Sequence, residues 1–263
     1  MAVRGAGVTG IAAMLPRAGK PKDHTAMKGW QEDLLSALDG KPNEREMFEH
    51  IAVAARQLGF EHCAYGLRLP LPLSNPRTFL FNDYPAAWQR RYQEMDYLRR
   101  DSTVLRARRC QKPMVWSDEV FASAPGLWRE AQDFGLKVGW AQSSLDANGL
   151  GGMLTLARGA DPLTAQELAA KEMKMRWLVS VAHVAMSRSL APRFAGTARS
   201  GLTEREIEVL KWTADGKTSG EISGILAVSE NTVNFHVKNA VCKLQSANKT
   251  SAVVRAAMLG LLN

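Results

Sequence analysis

The sequence predicts an α+β protein of two units, a larger one mixing helix and sheet and a smaller all-helical one at the C-terminus. Three observations carry this. At 263 residues the chain can bury two cores, at roughly 100–200 residues per domain. Between Leu190 and Leu202, Pro192, Gly196 and Gly201 stand among small residues without helical periodicity, the composition of a domain boundary. Upstream of it, helix-period and strand-period segments alternate; downstream no strand pattern survives. Hydrophobic residues at 46% and charged residues at 23% are ordinary globular usage and exclude a disordered chain.

Residues 1–28 read as a basic, flexible leader. The apolar stretch from Val8 to Leu15 is broken by Thr9 and Gly10 and falls far short of the roughly 20 residues a membrane span needs. Pro16, Arg17 and Lys20 follow where a signal peptide would carry a small-residue cleavage site. Helical periodicity then marks 30–38, 45–58, 86–96, 127–134 and 165–188, and strand patterns mark 60–68, 78–81, 114–116, 138–145 and 151–157. Asn148-Gly149 between the last two strands is a tight-turn dipeptide, so they should form a hairpin. The expected division is 29–189 for the larger unit, 190–200 for a linker and 201–263 for the smaller one.

In the smaller unit the helix signals are explicit. Thr203 with Glu206 makes a capping box, Ile207, Leu210 and Ala214 supply an apolar stripe, and Gly216 ends the first helix. The second begins near Ser219, with Glu221 in its first turn and Ile222, Ile225 and Leu226 on its buried face. After a break at Val228, Ser229 serves as N-cap for a third helix over 230–244, and a fourth covers 249–259. Two short helices joined by a tight turn make a helix-turn-helix, whose second helix enters the DNA major groove. At about 100° per residue, Val233, Val237, Ala240, Val241 and Leu244 gather on one side of that helix, and Asn231, Asn234, Phe235 and Lys238 on the other. Asn can pair with an adenine edge, Lys with guanine or a phosphate, and an aromatic edge with a thymine methyl. Periodicity alone fits a solvated surface helix equally well. The net charge of +8 favours an anionic partner.

The wider motif is more specific. Leu-Thr-Glu-Arg-Glu-Ile-Glu-Val-Leu at 202–210, Trp-Thr-Ala-Asp-Gly-Lys-Thr-Ser-Gly-Glu-Ile at 212–222 and Asn-Thr-Val-Asn-Phe-His-Val-Lys-Asn-Ala at 231–240 closely resemble the LuxR-type DNA-binding module, over essentially all of 200–263. The resemblance implies double-stranded DNA as partner, Lys217, Thr218 and Lys243 at phosphates, and a fourth helix that pairs two such modules.

The same module also ends phosphorylation-controlled regulators, but a receiver unit would open on an apolar strand leading to clustered aspartates, and this chain does not. It carries instead an aromatic set: Tyr84, Trp88, Tyr92, Trp116, Phe121, Trp128 and Trp140, with Asp101 among them. Trp88 and Tyr92, four apart on a predicted helix, place an indole NH and a phenol OH on one face. Asp101 is an acceptor suited to an amide NH, and Trp116, Phe121 and Trp128 would wall the space around them. Such an aromatic pair is usually ordinary core. Yet the order Tyr84-Pro85, Trp88, Tyr92, Asp101, Trp116, Gly139-Trp140 resembles the acyl-homoserine-lactone sensor domain of quorum-sensing LuxR regulators, over about 30–188.

That resemblance implies an α/β/α sandwich around a central antiparallel sheet. It also implies a ligand set of Tyr84, Trp88, Tyr92, Asp101, Val104, Trp116, Phe121, Trp128, Trp140 and Thr155. Trp88 would hold the lactone carbonyl, Tyr92 an acyl-side carbonyl, Asp101 the amide NH, and Thr155 would add a hydroxyl. One position departs: the family pattern has Pro after the ligand-binding Asp, and Ser102 restores a backbone NH, which should loosen the loop. The expectation is a cytoplasmic, homodimeric transcription factor reading a two-fold DNA site, with RNA polymerase a further candidate partner. A ligand-independent regulator, or one answering to a non-lactone ligand, is the alternative.

Other signals carry less. Cys63, Cys110 and Cys242 are too far apart for a redox pair, and the five histidines lack metal-ligand spacing. No metal or cofactor is expected. No nucleophile, base and orienting group can be assembled, so the chain is not read as an enzyme. Gly149 to Gly152 follows a turn rather than opening a helix, against a phosphate loop. Arg99-Arg100 and the run 106–109 form a basic cluster, read as a solvated face.

Overall fold

The computed structural model describes residues 24–40, 42–146, 149–190 and 201–262. Most of the expected leader (1–23), most of the linker (191–200) and Asn148 of the hairpin turn lie outside them. In the larger unit the order is α1 (His24–Asp39), α2 (Glu44–Gln57), β1 (His62–Arg68), β2 (Thr78–Asn82), α3 (Ala86–Glu94), a 3-10 turn (Tyr97–Arg99), α4 (Ser102–Ala107), β3 (Met114–Val115), α5 (Pro125–Asp133), β4 (Val138–Leu145), β5 (Gly151–Arg158) and α6 (Ala165–Leu190). α1 begins at His24, ahead of the boundary expected at 29, and α4 was not marked by the sequence patterns. Six residues are too few to display a period.

The five strands form one antiparallel sheet in the order β2-β1-β5-β4-β3. β4 and β5 make the expected hairpin, with Gly149 in the left-handed region at φ 74°. Helices cover both faces, which makes the α/β/α sandwich. On one face, α1, α2 and α6 pack on the sheet through Ile51, Leu58, Met175, Leu178 and Met186 against Tyr65, Leu67, Leu154 and Leu156. On the other, α3, the 3-10 turn and α5 build an aromatic cluster around Trp88, Tyr97, Phe121 and Trp128.

Two buried polar arrangements fix these layers. Arg158 of β5 reaches both oxygens of Glu167 on α6 at 2.9 and 2.7 Å, and Lys171 joins at 2.8 Å. The Arg158 hydrogen bond dominates, and with Lys171 it pulls the Glu167 carboxyl down to about 2. Tyr65 of β1 meets His183 of α6 at 2.9 Å. A Cβ at Gly152 would stand 2.4 Å from His183 Nδ1 and 2.7 Å from the Tyr65 hydroxyl, so only glycine fits there.

The smaller unit holds α7 (Glu204–Ala214), α8 (Ser219–Leu226), α9 (Glu230–Lys243) and α10 (Lys249–Met258). The caps expected at Thr203 and Ser229 are present, and Thr218 supplies a further one. Thr203 and Thr218 close reciprocal boxes with Glu206 and Glu221, and Ser229 accepts from Thr232 N. Two details of the stripes differ. On α7, Ala214 is exposed and Val209 is buried in its stead; on α8, Ile225 is exposed while Ile222 is buried. Val209, Ile222 and Val233 form one small core, and Leu210, Ala240, Leu244, Ala252 and Ala256 another. The inner face of α9 is therefore the one its periodicity predicts.

Candidate ligand cavity and nucleic-acid interface

Strand alternation decides which side chains face the helices of the aromatic cluster. Ala64, Gly66 and Arg68 of β1 share a face with Met153 and Thr155 of β5 and with Ala141 and Ser143 of β4, through the register Ala64↔Thr155↔Ala141 and Gly66↔Met153↔Ser143. The intervening Tyr65, Leu67, Leu154 and Leu156 point into the opposite core. Because the first set is mostly small, space remains over the sheet: a cavity of about 990 Å³ roofed by α3, α4 and the segments flanking α5. Alternation of small with large side chains in β1 is the signal that could have located this floor from sequence.

Eight of the ten expected ligand residues line the cavity: Tyr84, Trp88, Tyr92, Asp101, Val104, Trp116, Phe121 and Thr155. Trp88 is buried, with the rings of Tyr92, Tyr97 and Phe134 at 5.5–5.9 Å. Asp101 is the N-cap of α4. Its Oδ1 accepts from Thr103 N at 2.8 Å and Thr103 Oγ1 at 2.6 Å, and its Oδ2 accepts from the Tyr92 hydroxyl at 2.9 Å. A carboxylate offers about four lone-pair positions, so one is left for a further donor. Burial first, then the Asp101 charge, pushes the Tyr92 phenol up, and burial does the same to Tyr84. Both are neutral donors at physiological pH. Trp116 Nε1 is buried with no hydrogen-bond partner, a donor for which the protein supplies no acceptor.

Two expected residues do not reach the cavity. Trp140 pairs with Leu156 and is buried in the core under α2 and α6. Its parity is opposite to that of Ala141 and Thr155, which is why it turns away. Trp128 forms a second layer: its ring stacks on Phe121 at 4.6 Å and 4°, meets Trp116 edge-on at 5.9 Å, and its Nε1 donates to Asp118 at 2.7 Å. It stiffens the wall from behind. Gly139 makes room for that wall, since a Cβ there would sit 2.2 Å from Trp116 Cδ2.

Ser102 also behaves differently from expectation. It is buried at the first position of α4, where a backbone NH lacks an intrahelical acceptor whatever the residue. Its Oγ bonds Ser123 Oγ at 2.9 Å, so the segment is tied rather than loosened.

On α9, Asn231, Asn234, Phe235 and Lys238 are exposed, Phe235 at 60%. The Phe235 ring meets the adjacent His236 edge-on at 5.7 Å and is otherwise open on the side of the helix away from the core. Ser219 donates to Asn234 Oδ1 at 2.8 Å, bracing the outer helix from the start of α8. Thr218 caps α8, and Lys217 lies 3.5 Å from Glu221. Lys243 does not present a free ammonium. It contacts both oxygens of Glu206 at 2.9 and 2.8 Å, and Glu206 is only 2% exposed. Its first task is to neutralise a buried carboxylate, a partner 37 residues away that local sequence did not reveal.

A cavity of neutral donors around one carboxylate is thus followed along the chain by a braced helix with an open polar face. Residues 43–186 match the autoinducer binding domain, and residues 200–256 match the bacterial regulatory proteins of the luxR family. The chain belongs to the LuxR family of quorum-sensing regulators. It is 46% identical over 238 residues to the transcriptional activator protein AnoR of Acinetobacter nosocomialis, covering 90% of this chain and 100% of that one. To the HTH-type quorum-sensing regulator RhlR of Pseudomonas aeruginosa it is 36% identical over 233 residues, covering 89% and 96%. A crystal structure of Escherichia coli SdiA superposes with a TM-score of 0.76 at 33% identity, covering 89% of this chain and 98% of that one. A second SdiA structure, in complex with octanoyl-rac-glycerol, gives 0.77 at 32% identity, covering 93% and 99%. As a LuxR member this chain is an autoinducer-binding, DNA-binding transcriptional regulator whose sensor family takes acyl-homoserine lactones, and its relatives are regulators rather than enzymes. Among the described residues no helix is long and apolar enough to cross a membrane.

Proposed function

We propose that the cavity binds an acyl-homoserine lactone and that the occupied protein, as a cytoplasmic homodimer, reads a two-fold DNA site. The observation that carries the ligand assignment is the Asp101 carboxylate, held by Thr103 and Tyr92 with one lone pair left, beside the neutral donors of Trp88 and Trp116. An amide ligand answers both needs, its NH satisfying Asp101 and its carbonyls accepting from the indole and the phenol. Trp88 takes the lactone carbonyl, Tyr92 the acyl carbonyl, and Thr155 adds a hydroxyl from the floor. Asn231, Asn234, Phe235 and Lys238 meet base edges, Lys217 and Thr218 meet phosphates, and RNA polymerase is a downstream partner. The units divide near 29–189 and 201–263, and the linker sets the reach between half-sites about 10 bp apart or a multiple of that. Ligand that binds the DNA-competent dimer best shifts the population towards it.

A non-lactone amphiphile is the second reading, favoured by the octanoyl-rac-glycerol bound to the relative SdiA. Glycerol hydroxyls could donate to Asp101 as an amide does. Mass spectrometry of small molecules extracted from the purified protein decides between the two. Operator binding and sedimentation with and without added lactone test the rest; identical behaviour in both would exclude ligand control.

A further inference from the structure

The basic run at 106–109 meets another cation where the cavity ends. Arg68, Arg108, Arg109 and Lys112 all line that end, and the acidic lining consists of Asp101 alone. We propose that the ligand's acyl chain terminates in a carboxylate held between Arg68 and Arg108. This rests on the acyl-amide reading above and specifies the far end of that ligand.

Two elements independently set the distance between the amide-binding and cationic ends. Along β1, Ala64 lies opposite Thr155 and Arg68 lies four residues on, on the same face, a separation of about 13 Å at ~3.3 Å per residue. Along α4, Asp101 is the N-cap and Arg108 the C-cap, seven steps or about 10 Å at 1.5 Å per residue. Ser143, in register with Met153 and Gly66, donates to Cys110 O at 2.9 Å just past α4, so the Arg108 end of the roof lies towards the Arg68 end of the floor. An extended strand spans three bonds per residue, so a chain following β1 over that reach has roughly a dozen bonds. The side chains between are uncharged, with Gly66 and Met153 below and Val104 and Ala107 above.

At the cationic end Arg68 is partly buried, and Arg108, Arg109 and Lys112 are exposed. None of the ion pairs among the described residues involves Arg68, Arg108, Arg109 or Lys112. Arg68 Nε is buried with no hydrogen-bond partner, which distinguishes it from a solvated surface arginine. Burial and the neighbouring Arg68 charge hold the Arg108 guanidinium below its ordinary value, the sign of two cations close together. A carboxylate between them would accept from both forks and remove that repulsion. A terminal methyl would leave the buried Nε unsatisfied.

The test uses the full chain and two acyl-homoserine lactones of equal length, one ending in a methyl and one in a carboxylate, titrated calorimetrically. The carboxylate form should bind at least about tenfold more tightly, the gain expected of one charge-assisted pair, and that preference should shrink as salt is raised. The double variant R68M/R108M should abolish the preference; R68K/R108K should retain part of it. Methyl-ended ligand bound equally well or better by wild type overturns the proposal and leaves the acyl-amide reading standing, as does a preference unchanged in R68M/R108M. Binding of neither ligand overturns both. The wild-type comparison decides by itself, so a variant that fails to fold does not leave the question open.

Discussion

The Tyr92 hydroxyl donates to Asp101 Oδ2 at 2.9 Å, so one donor of the cavity is committed to its acceptor before any ligand enters. A phenol has a single proton. For Tyr92 to serve a ligand carbonyl, Asp101 must receive a replacement donor from the same ligand. A molecule offering a carbonyl without a nearby NH or OH would leave the carboxylate short of a partner, at a cost of about 1–3 kcal/mol. The pair thus screens for ligands with both groups.

Asp101→Asn tests this. Asn caps a helix about as well as Asp, so the thermal midpoint should move by only a few degrees. Lactone affinity should fall about tenfold or more as the charge-assisted bond becomes a neutral one. Calorimetry and thermal denaturation on the same sample separate the two effects; retained affinity would remove Asp101 from the site.

Trp128 and Trp140, expected in the cavity, should behave as structural residues. Trp128→Phe keeps the stack on Phe121 but loses the bond to Asp118, costing about 1 kcal/mol of stability with little change in ligand affinity. Trp140→Ala should cost about 3–5 kcal/mol. Denaturant unfolding with and without ligand gives both numbers.

Gly139→Ala should push Trp116 from its seat, because the added Cβ would sit 2.2 Å from the indole. The expected result is a loss of ligand affinity of about tenfold or more, with destabilisation of about 1–3 kcal/mol from overpacking. Titration of Trp116 fluorescence in a background lacking other exposed tryptophans follows the displacement.

Lys243→Met leaves Glu206 buried without its counter-charge. Burial raises the Glu206 carboxyl, but Lys243 and Thr203 more than reverse this and hold it below the usual range. A depressed carboxyl stabilises the fold above its unfolded value of about 4.3, and that contribution is lost as pH falls through the folded value. The variant should be less stable by about 2–3 kcal/mol at pH 7, the figure for a broken buried pair discounted for the half-exposed lysine. Its deficit should narrow on acidification towards pH ~4, as the orphaned carboxyl takes up a proton. Thermal scans across pH would show this; a pH-independent deficit would mean that the pair is not responsible.

Lys238→Ala should weaken operator binding at fixed salt without altering lactone uptake. If it meets a phosphate, the dependence of log K on log salt should flatten by about one unit; if it reads a guanine, the loss should concentrate on one base position at about 1–3 kcal/mol. Equal affinity for the operator would take it off the reading face.

Much of this architecture was legible in the residues themselves. Period and caps marked the long helices and every strand, and the capping signals at Thr203, Glu206 and Ser229 sit where the structure has them. What escaped depended on pairing between distant segments. Whether Trp140 faced the cavity turned on sheet register, Lys243 found its partner across 37 residues, and Arg68 of β1 and Arg108 after α4 come to line one cavity only through the fold. α4 itself was too short to advertise a period.

The brevity of that helix has a further effect. Six residues cannot sustain helical structure unaided in water, so α4 depends on its Asp101 cap and on what its inner side chains rest upon. A guest spanning from cap to C-terminus would act as an external splint for this roof. Amide hydrogen exchange from Thr103 to Ala107 should therefore slow more on ligand addition than exchange in α6, whose 26 residues are already anchored over their whole length.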